Sequence, residues 1–123
     1  MKINKLTESE ELVMKAIWDC DSAPSLSKVC DILKNTYKKT WKPQTVSTFF
    51  NKLVTKKYIK LTRKGKSYTY KILISEDQYK QKLYTDYIHF WYNDNSFDLL
   101  WEMYLNGDLT KENIDEITSN CLD

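Results

Sequence analysis

The side chains best suited to recognition chemistry lie in the run TWKPQTVSTFFNKLVTKKY, residues 40–58. At about 100° per residue, one helical stripe of this run would carry amides and hydroxyls but no acid. The stripe consists of Gln44, Thr48, Asn51 and Thr55, flanked by Thr45, Ser47 and Lys52. Amides and hydroxyls can bind the edges of DNA bases, while lysines bind phosphates. The pattern predicts a helix in a DNA major groove; the alternative is an ordinary amphipathic helix that lacks acidic residues.

The other side of the same run predicts how this stripe is positioned. Pro43 has the fixed φ that suits the first turn of a helix. Apolar residues follow at helical spacing and form one stripe that should face a core: Val46, Phe49, Phe50 and Leu53. We therefore expect a helix from Pro43 to the Lys56-Lys57 pair.

Charge is distributed unevenly along the 123 residues. Residues 1–74 hold 16 Lys and Arg against 6 Asp and Glu, a balance of +10, and residues 75–123 hold 3 against 11, a balance of −8. No acidic residue lies between Asp31 and Glu76, although that interval contains twelve basic residues. The asymmetry predicts nucleic acid as the partner of the front part and a different partner for the back part.

Composition disfavours several other classes of protein. The cysteines Cys20, Cys30 and Cys121 lack paired metal-ligand spacing, so we expect small buried hydrophobes in a reducing cytosol. No apolar run approaches the ~18 residues that span a membrane, and a soluble cytoplasmic protein is expected. The lone His89 lacks catalytic partners at useful spacing, and the two glycines form no phosphate-binding loop. We expect no enzyme, no metal and no cofactor.

Two helices are predicted before the recognition run. Thr7 and Glu10 have capping-box spacing at the start of the first helix, which should end near Cys20. Ser25 is expected to cap a second helix that reaches Lys39.

After Lys57 the pattern changes to the alternation of strands. Two short runs predict a β-hairpin whose tip contains Arg63, Lys64, Gly65, Lys66 and Ser67. Three helices followed by a hairpin make a winged helix-turn-helix, whose wing would reach the DNA backbone or minor groove. A solvated basic turn is the alternative. The residues predicted to read bases are Gln44, Thr45, Ser47, Thr48 and Asn51, and those predicted to contact phosphates are Lys42, Lys52, Lys56, Arg63, Lys64 and Lys66.

Three further helices are predicted in the tail, residues 75–123. The first begins with the capping-box pair Ser75 and Gln78 and runs to Tyr92. The other two are expected to follow the caps Ser96 and Thr110; Gly107 should end the former, and the latter should reach Leu122.

The tail carries apolar faces too wide for a helix exposed on one side. Nine of the seventeen aromatic residues lie there, in a segment at the lower size limit for independent folding. A second copy of the tail would cover these faces, so a homodimer is expected; the alternative is a tail folded back onto its own front domain. The predicted dimer interface consists of Leu83, Tyr84, Tyr87, Ile88, Trp91, Leu99, Leu100, Trp101, Met103, Ile114 and Ile117.

The sequence also resembles a known family. Trp41, Pro43, Thr45, Val46 and Thr48 match a W-x-P-x-T-[IV]-x-T core that is followed by a lysine-rich turn. With LTESEELVMKAIW before it and NGDLTKENIDEI after it, this core is similar to the penicillinase-repressor (BlaI/MecI/CopY) family over essentially the whole chain. The resemblance implies a homodimeric transcriptional repressor on inverted-repeat operators, with the third helix in the major groove and the acidic tail as dimer interface.

Two departures from the family concern induction. In the β-lactam-responsive branch a membrane sensor protease triggers cleavage of an Asn-Phe bond, and alignment places Glu102-Met103 at that position. In the copper branch a pair of Cys-x-Cys motifs binds metal, whereas only Cys121 remains here. An inducing sensor or protease is thus a partner that the resemblance implies without identifying the signal.

The predicted architecture is mainly α with a small β-hairpin wing. A winged-helix DNA-binding domain would occupy residues 1–74, and a helical dimerisation domain residues 75–123. The alternative function is a winged-helix module that binds protein, with no sequence-specific DNA binding.

Overall fold

The computed structural model of the protein describes residues 2–121, which form six helices and one hairpin. In chain order the elements are α1 (Glu8–Trp18), α2 (Leu26–Asn35), α3 (Pro43–Thr55), β1 (Ile59–Lys64), β2 (Ser67–Ile72), α4 (Glu76–Tyr92), α5 (Ser96–Leu105) and α6 (Lys111–Cys121). The predicted end of the last helix at Leu122 lies outside the described residues. The chain divides into two compact units, Met1–Lys80 and Gln81–Asp123.

Local caps fix the starts of the first two helices as predicted. The Glu10 amide donates to the Thr7 hydroxyl at 3.2 Å, and the Thr7 amide donates to the Glu10 carboxylate at 2.7 Å. The Lys28 amide donates to the Ser25 hydroxyl at 3.2 Å. The predicted end of α2 at Lys39 is wrong, because α2 ends at Asn35 and Lys38 has a positive φ of 59°.

The core of the first unit joins α1, α2 and α3. Three of the four residues in the predicted α3 stripe, Val46, Phe50 and Leu53, are completely buried. The fourth, Phe49, is half-buried, and its ring lies 5.1 Å from that of Trp41. The buried stripe holds α3 against α1 and α2, so its opposite side faces outward.

The hairpin pairs Ile59 with Ile72 at its base and Lys64 with Ser67 at its tip. Only Gly65 and Lys66 form the turn, so the prediction of a five-residue tip is wrong. Gly65 adopts a φ of +66°, which glycine tolerates and which matches the positive φ that a two-residue hairpin turn requires. The tight turn leaves Arg63 and Lys64 on a paired strand rather than in a loop.

Cysteine burial differs among the three positions. Cys20 and Cys30 are half-buried, and burial raises the pKa of both thiols. Cys121 is exposed in the single chain, so the expectation of burial is wrong at that position.

The tail helices have the predicted order. Ser75 and Gln78 exchange two hydrogen bonds at the start of α4, and the Asn113 amide donates to the Thr110 hydroxyl at the start of α6. The cap of α5 is Asn95 rather than Ser96, which is already helical. None of the helices described between residues 2 and 121 is both long and apolar enough to cross a membrane.

Candidate nucleic-acid interface

The outward side of α3 carries the residues predicted to read bases. Gln44, Thr45, Thr48 and Asn51 are exposed, whereas Ser47 is half-buried at the edge of the face. These four exposed side chains and Ser47 are called the α3 reading face below. They face outward because Val46, Phe50 and Leu53 occupy the buried side of the same helix.

Hydrogen bonds within α3 set what the reading face can offer a ligand. The Thr48 hydroxyl donates to the Gln44 carbonyl at 3.1 Å, and the Thr55 hydroxyl donates to the Asn51 carbonyl at 3.0 Å. With their protons used inside the helix, these threonines present acceptor lone pairs and methyl groups outward. The Gln44 and Asn51 amides supply both donors and acceptors. The face can therefore make the hydrogen bonds and methyl contacts that distinguish base pairs in a major groove.

Lysines surround the reading face. Lys42 is exposed and is the N-cap residue of α3, where no side chain caps the helix. The Lys52 ammonium lies 5.4 Å from the Phe49 ring centroid, on the exposed side of α3. Lys39, which was not among the predicted site residues, is also exposed and lies 5.6 Å from the Trp41 ring centroid. Its position in the acid-free interval, three residues before Lys42, was the signal that could have identified it.

Lys56 differs from the other predicted phosphate contacts. Its ammonium lies 2.6 Å from a carboxylate oxygen of Glu10 and 2.9 Å from the Lys5 carbonyl. Only 3% of the Glu10 side chain is exposed. Burial alone would raise the pKa of Glu10, but hydrogen bonds from Lys56 and Thr7 outweigh it and hold the pKa below its usual value. The pair neutralises the Glu10 carboxylate, which lines a surface pocket together with Thr48 and Asn51.

The wing places three further cations at the surface. Arg63, Lys64 and Lys66 are all exposed around the hairpin turn. The Arg63 Nε donates to the Gly65 carbonyl at 3.0 Å, and the guanidinium lies 5.8 Å from the ring centroid of Tyr68. Tyr68 is 61% exposed and was missed by the sequence analysis, although its pairing with Arg63 follows from the hairpin register. The aromatic ring and the carbonyl restrict the guanidinium to one side of the wing.

The wing and the reading helix are joined at the end of α3. The Tyr58 amide donates to the Leu53 carbonyl at 2.9 Å, and the Leu73 amide donates to the Tyr58 carbonyl at 2.9 Å. Tyr58 is fully buried, and its hydroxyl donates to the Asn4 carbonyl. Both ends of the hairpin are therefore attached directly behind α3.

The residues predicted as dimer interface line the second unit. Most are exposed in the single chain: Leu83, Tyr84, Tyr87, Trp91, Leu100, Trp101, Ile114 and Ile117. Ile88, Leu99 and Met103 are half-buried. Phe90 and Phe97, which the prediction omitted, are 72% and 65% exposed. The helical position of Phe90, seven residues after Leu83, was a usable signal for its place on the same face.

The single histidine of the tail lies beside one carboxylate. The His89 Nδ1 lies 2.8 Å from the Asp94 carboxylate, and both side chains are largely exposed. Within residues 2–121, His, Cys, Asp and Glu side chains form no group of three or more that could hold a metal ion.

Three helices, the third with an exposed acid-free face, and a two-stranded wing define a protein of the winged-helix class. The chain belongs to the penicillinase repressor family, whose model matches residues 6–121. The penicillinase repressor of Bacillus licheniformis is 25% identical over 116 residues, which cover 94% of this chain and 88% of that relative. The family resemblance inferred from the sequence is thereby confirmed.

Two solved structures are similar to part of the chain. One is the solution structure of the Bacillus licheniformis BlaI monomeric form in complex with the blaP half-operator, with 31% identity and a TM-score of 0.51. The other is the solution structure of the DNA-binding domain of the repressor BlaI, with 29% identity and a TM-score of 0.50. Each match covers 63% of this chain and 92% of the solved chain. The predicted fold class, mainly α with a winged helix-turn-helix, is confirmed.

Proposed function

We propose that this protein is a homodimeric transcriptional repressor that binds inverted-repeat operators in promoter DNA in the cytoplasm. The penicillinase repressor family and the similar BlaI chain in complex with a half-operator support DNA binding and repression. In this proposal residues 1–74 form the DNA-binding domain, and residues 75–123 form the dimerisation domain.

The observation that carries the proposal is the exposed, uncharged reading face within an acid-free interval. Gln44, Thr48 and Asn51 project from a helix that a buried apolar stripe fixes in place. Glu10 is the acidic side chain in the protein pocket that Thr48 and Asn51 also line, and Lys56 neutralises it. This pocket therefore carries no net negative charge. A negative charge there would repel phosphates that approach within the Debye length, which is about 10 Å at moderate salt.

Base recognition falls to the amides and hydroxyls of α3. Gln44 and Asn51 suit bidentate contact with adenine, since their amides match its N6 and N7. Thr45, Ser47 and Thr48 offer hydroxyls, and the outward methyl of Thr48 can contact a thymine methyl.

Phosphate contacts fix the register of the helix in the groove. Lys42 and Lys52 lie beside the reading face, and Arg63, Lys64 and Lys66 lie on the wing. These exposed cations would bind the backbone on either side of the bases that α3 reads. Lys56 is assigned mainly to the Glu10 pair, because its ammonium already has two protein acceptors.

Dimerisation through the tail would place a second DNA-binding domain in the assembly. Exposed apolar side chains of α5 and α6 line one common concavity: Phe97, Leu100, Trp101, Tyr104, Ile114 and Ile117. Helix α4 exposes further aromatic and aliphatic side chains, and so many on one tail are more than a monomer usually leaves uncovered. The net charge of −8 in residues 75–123 disfavours DNA as the partner that covers it. A second copy covers the surface with its own equivalent and gives a closed twofold assembly.

Two linked DNA-binding domains bind a twofold-symmetric site more tightly than a single domain does. The second contact becomes intramolecular, so affinity exceeds that of an isolated half-site by avidity. The half-site centres should lie about 10 bp apart or a multiple of that distance, because both heads approach the same side of the duplex. Occupation of such a site in a promoter would exclude the transcription machinery.

Pull-down of sheared genomic DNA at moderate salt tests this function. The wild-type protein should enrich a few fragments that share an inverted repeat, and the DNA flanking its own gene is a candidate source. Gln44→Ala, which leaves the charge unchanged, should lose that enrichment while retaining weak binding to random DNA. Absence of any enriched fragment, with retention of an acidic protein instead, would support the protein-binding alternative.

A further inference from the structure

Three exposed lysines at the base of the wing have no part in the contacts proposed above. They are Lys57, which follows α3, and Lys60 and Lys71, which lie on β1 and β2. All three fall in the acid-free interval between Asp31 and Glu76. None of them forms an ion pair with an acidic side chain in the part of the chain that the structure describes. These residues are called the wing-base lysines below.

Lys57 has a backbone conformation in which a side chain costs stability. Its φ is +66°, and it directly precedes Tyr58, whose amide donates to the Leu53 carbonyl at 2.9 Å. This hydrogen bond closes a Schellman cap at the end of α3. Glycine is the usual residue at the position of positive φ, because the backbone crowds any Cβ there. The stability of the cap therefore does not explain a lysine at this position.

Lys38 has the same kind of backbone conformation, with a φ of +59°, but its charge has a structural partner. The Lys38 ammonium donates to the Asn35 carbonyl at 2.9 Å, which is one of the free carbonyls at the end of α2. At the end of α3 it is the Lys56 ammonium, rather than that of Lys57, that has protein acceptors. The charge of Lys57 is therefore available to a ligand.

Lys60 and Lys71 lie directly opposite each other in the hairpin register. Residues that are opposite each other on an antiparallel pair have Cβ atoms about 5 Å apart, and like charges there are destabilising. The next pair on the same face, Thr62 and Thr69, is joined by a hydrogen bond of 2.8 Å between its hydroxyls. An acidic residue in place of one lysine would stabilise the wing, so the stability of the hairpin does not explain two lysines.

The same face of the wing carries a cation that already has a proposed ligand. Side chains alternate between the two faces of a strand, so Lys60, Thr62 and Lys64 share one face of β1. Lys64 is one of the proposed phosphate contacts beside the hairpin turn. At about 3.3 Å per residue, Lys60 lies about 13 Å from Lys64 along β1, which equals the axial rise of about four nucleotides of one DNA strand. A duplex backbone in contact with Lys64 can therefore continue along this face to Lys60 and Lys71.

We propose that Lys57, Lys60 and Lys71 bind phosphates of the operator backbone beside the bases that α3 recognises. The inference rests on the proposed function, because it assigns further residues to the same DNA interface. All three residues lie within the first compact unit, so one DNA-binding domain makes these contacts by itself. At each position a cation takes the place of a residue that would stabilise the fold better, and a phosphate supplies the missing anionic partner.

The test measures fold stability and DNA affinity separately in the full-length protein. Lys57→Gly relieves the positive φ, and Lys71→Thr replaces one of the two opposed charges with a residue that favours strands. Lys82→Gln is the matched control, because it removes one positive charge from α4, outside the first compact unit. Urea unfolding measures stability. Fluorescence anisotropy over a salt series measures affinity for a random duplex and for a half-operator duplex taken from the fragments that the wild-type protein enriches.

Lys57→Gly and Lys71→Thr should each unfold at the same urea concentration as wild type or at a higher one. Each should bind both duplexes about five- to tenfold more weakly near 0.1 M salt, because one phosphate contact and its released counterion are lost. The slope of log K against log salt should become less steep by about 1. Lys82→Gln should match wild type in affinity and in slope.

Unchanged DNA affinity in either variant would overturn the inference for that side chain and leave the proposed function intact. Weaker binding together with a lower urea midpoint would also overturn it, because the lysines would then support the fold. Weaker binding to the half-operator alone would assign them to base contacts, contrary to the inference. Failure of the wild-type protein to prefer the half-operator over the random duplex would refute the proposed function, whereas the salt slopes on the random duplex would still decide the phosphate contacts.

Discussion

The Lys56 ammonium lies 2.6 Å from a carboxylate oxygen of Glu10, and this ion pair joins the C-terminal end of α3 to the first turn of α1. Glu10 also accepts the Thr7 amide within the capping box of α1. The Asn4 side chain reinforces the contact by donating to the Lys56 carbonyl at 3.1 Å. One buried carboxylate therefore caps α1 and holds the end of the reading helix.

Acid should weaken the fold partly through this carboxylate. The folded-state pKa of Glu10 lies below its unfolded value of about 4.5, so its contribution is complete above that pH and is lost as the pH falls through the folded pKa. Glu10→Gln should have a lower free energy of unfolding than wild type at neutral pH. Between about pH 5 and pH 2, its free energy of unfolding should fall less than that of wild type. Urea unfolding across this range measures the effect.

Glu8→Gln is the control for the charge change, because Glu8 lies in the same helical turn but is exposed. It should follow the wild-type pH profile. Equal profiles for Glu10→Gln and wild type would show that the Lys56 pair contributes nothing to pH-dependent stability.

The reading face and the wing should differ in how they affect DNA binding. Gln44→Ala should reduce discrimination between operator and random DNA by about 1 to 3 kcal/mol, because it removes a base contact. Lys64→Ala should weaken both kinds of binding alike and reduce the salt slope by about 1, because it removes a phosphate contact. Fluorescence anisotropy with both duplexes measures the two effects. The reverse pattern would show that the reading face has been assigned to the wrong helix surface.

The wing turn should be sensitive to a single methyl group. Gly65→Ala meets no atom within 4 Å, so its cost arises from the positive φ of +66° alone. That strain is about 1 kcal/mol, and the distorted turn should weaken half-operator affinity by up to about fivefold.

Gly107→Ala is the matched control for this effect. Gly107 has a φ of +84° and also has nothing within 4 Å of an added Cβ, but it lies in the tail. Its replacement should leave half-operator affinity unchanged. If the two alanine variants lowered half-operator affinity equally, the wing would not contribute to DNA binding.

A charge in the tail surface should separate the proposed dimer. Leu100 is 47% exposed in the single chain, and a second copy would bury it. Leu100→Asp should weaken association by about 3 kcal/mol, because a buried carboxylate without a partner is costly. Sedimentation velocity over a concentration series measures the shift from dimer to monomer.

Leu73→Asp provides the comparison, because Leu73 is 41% exposed and lies outside the predicted interface. It should sediment like wild type. A wild-type protein that sediments as a monomer at micromolar concentration, or a Leu100→Asp dimer, would contradict the tail interface.

Local patterns in the sequence predicted most of the fold. The capping pairs Thr7 with Glu10 and Ser75 with Gln78 lie three residues apart, so sequence spacing alone defines them. The buried apolar stripe of α3 could also be predicted from the sequence, because helical periodicity determines which side of the helix is buried. The reading face followed from that stripe without any further information.

Contacts between distant residues account for what the sequence did not predict. The contact between Lys56 and Glu10 joins residues 46 apart in the sequence, and the contact between Tyr79 and Glu11 joins residues 68 apart. The end of α2 was placed too late because a positive φ at Lys38 stops the helix, while the Tyr37 hydroxyl donates to Asp19 of the α1 cap. None of these three contacts has a signal in local periodicity.

The salt dependence of operator affinity tests the central claim most directly. Wild-type protein should be titrated by fluorescence anisotropy against the operator duplex and a scrambled duplex over a series of salt concentrations. A dimer that neutralises about eight phosphates should give a slope of log K against log salt near −7, with tighter binding to the operator at every concentration. A slope near zero, or equal affinity for the two duplexes, would contradict a basic DNA-binding domain that recognises bases through α3.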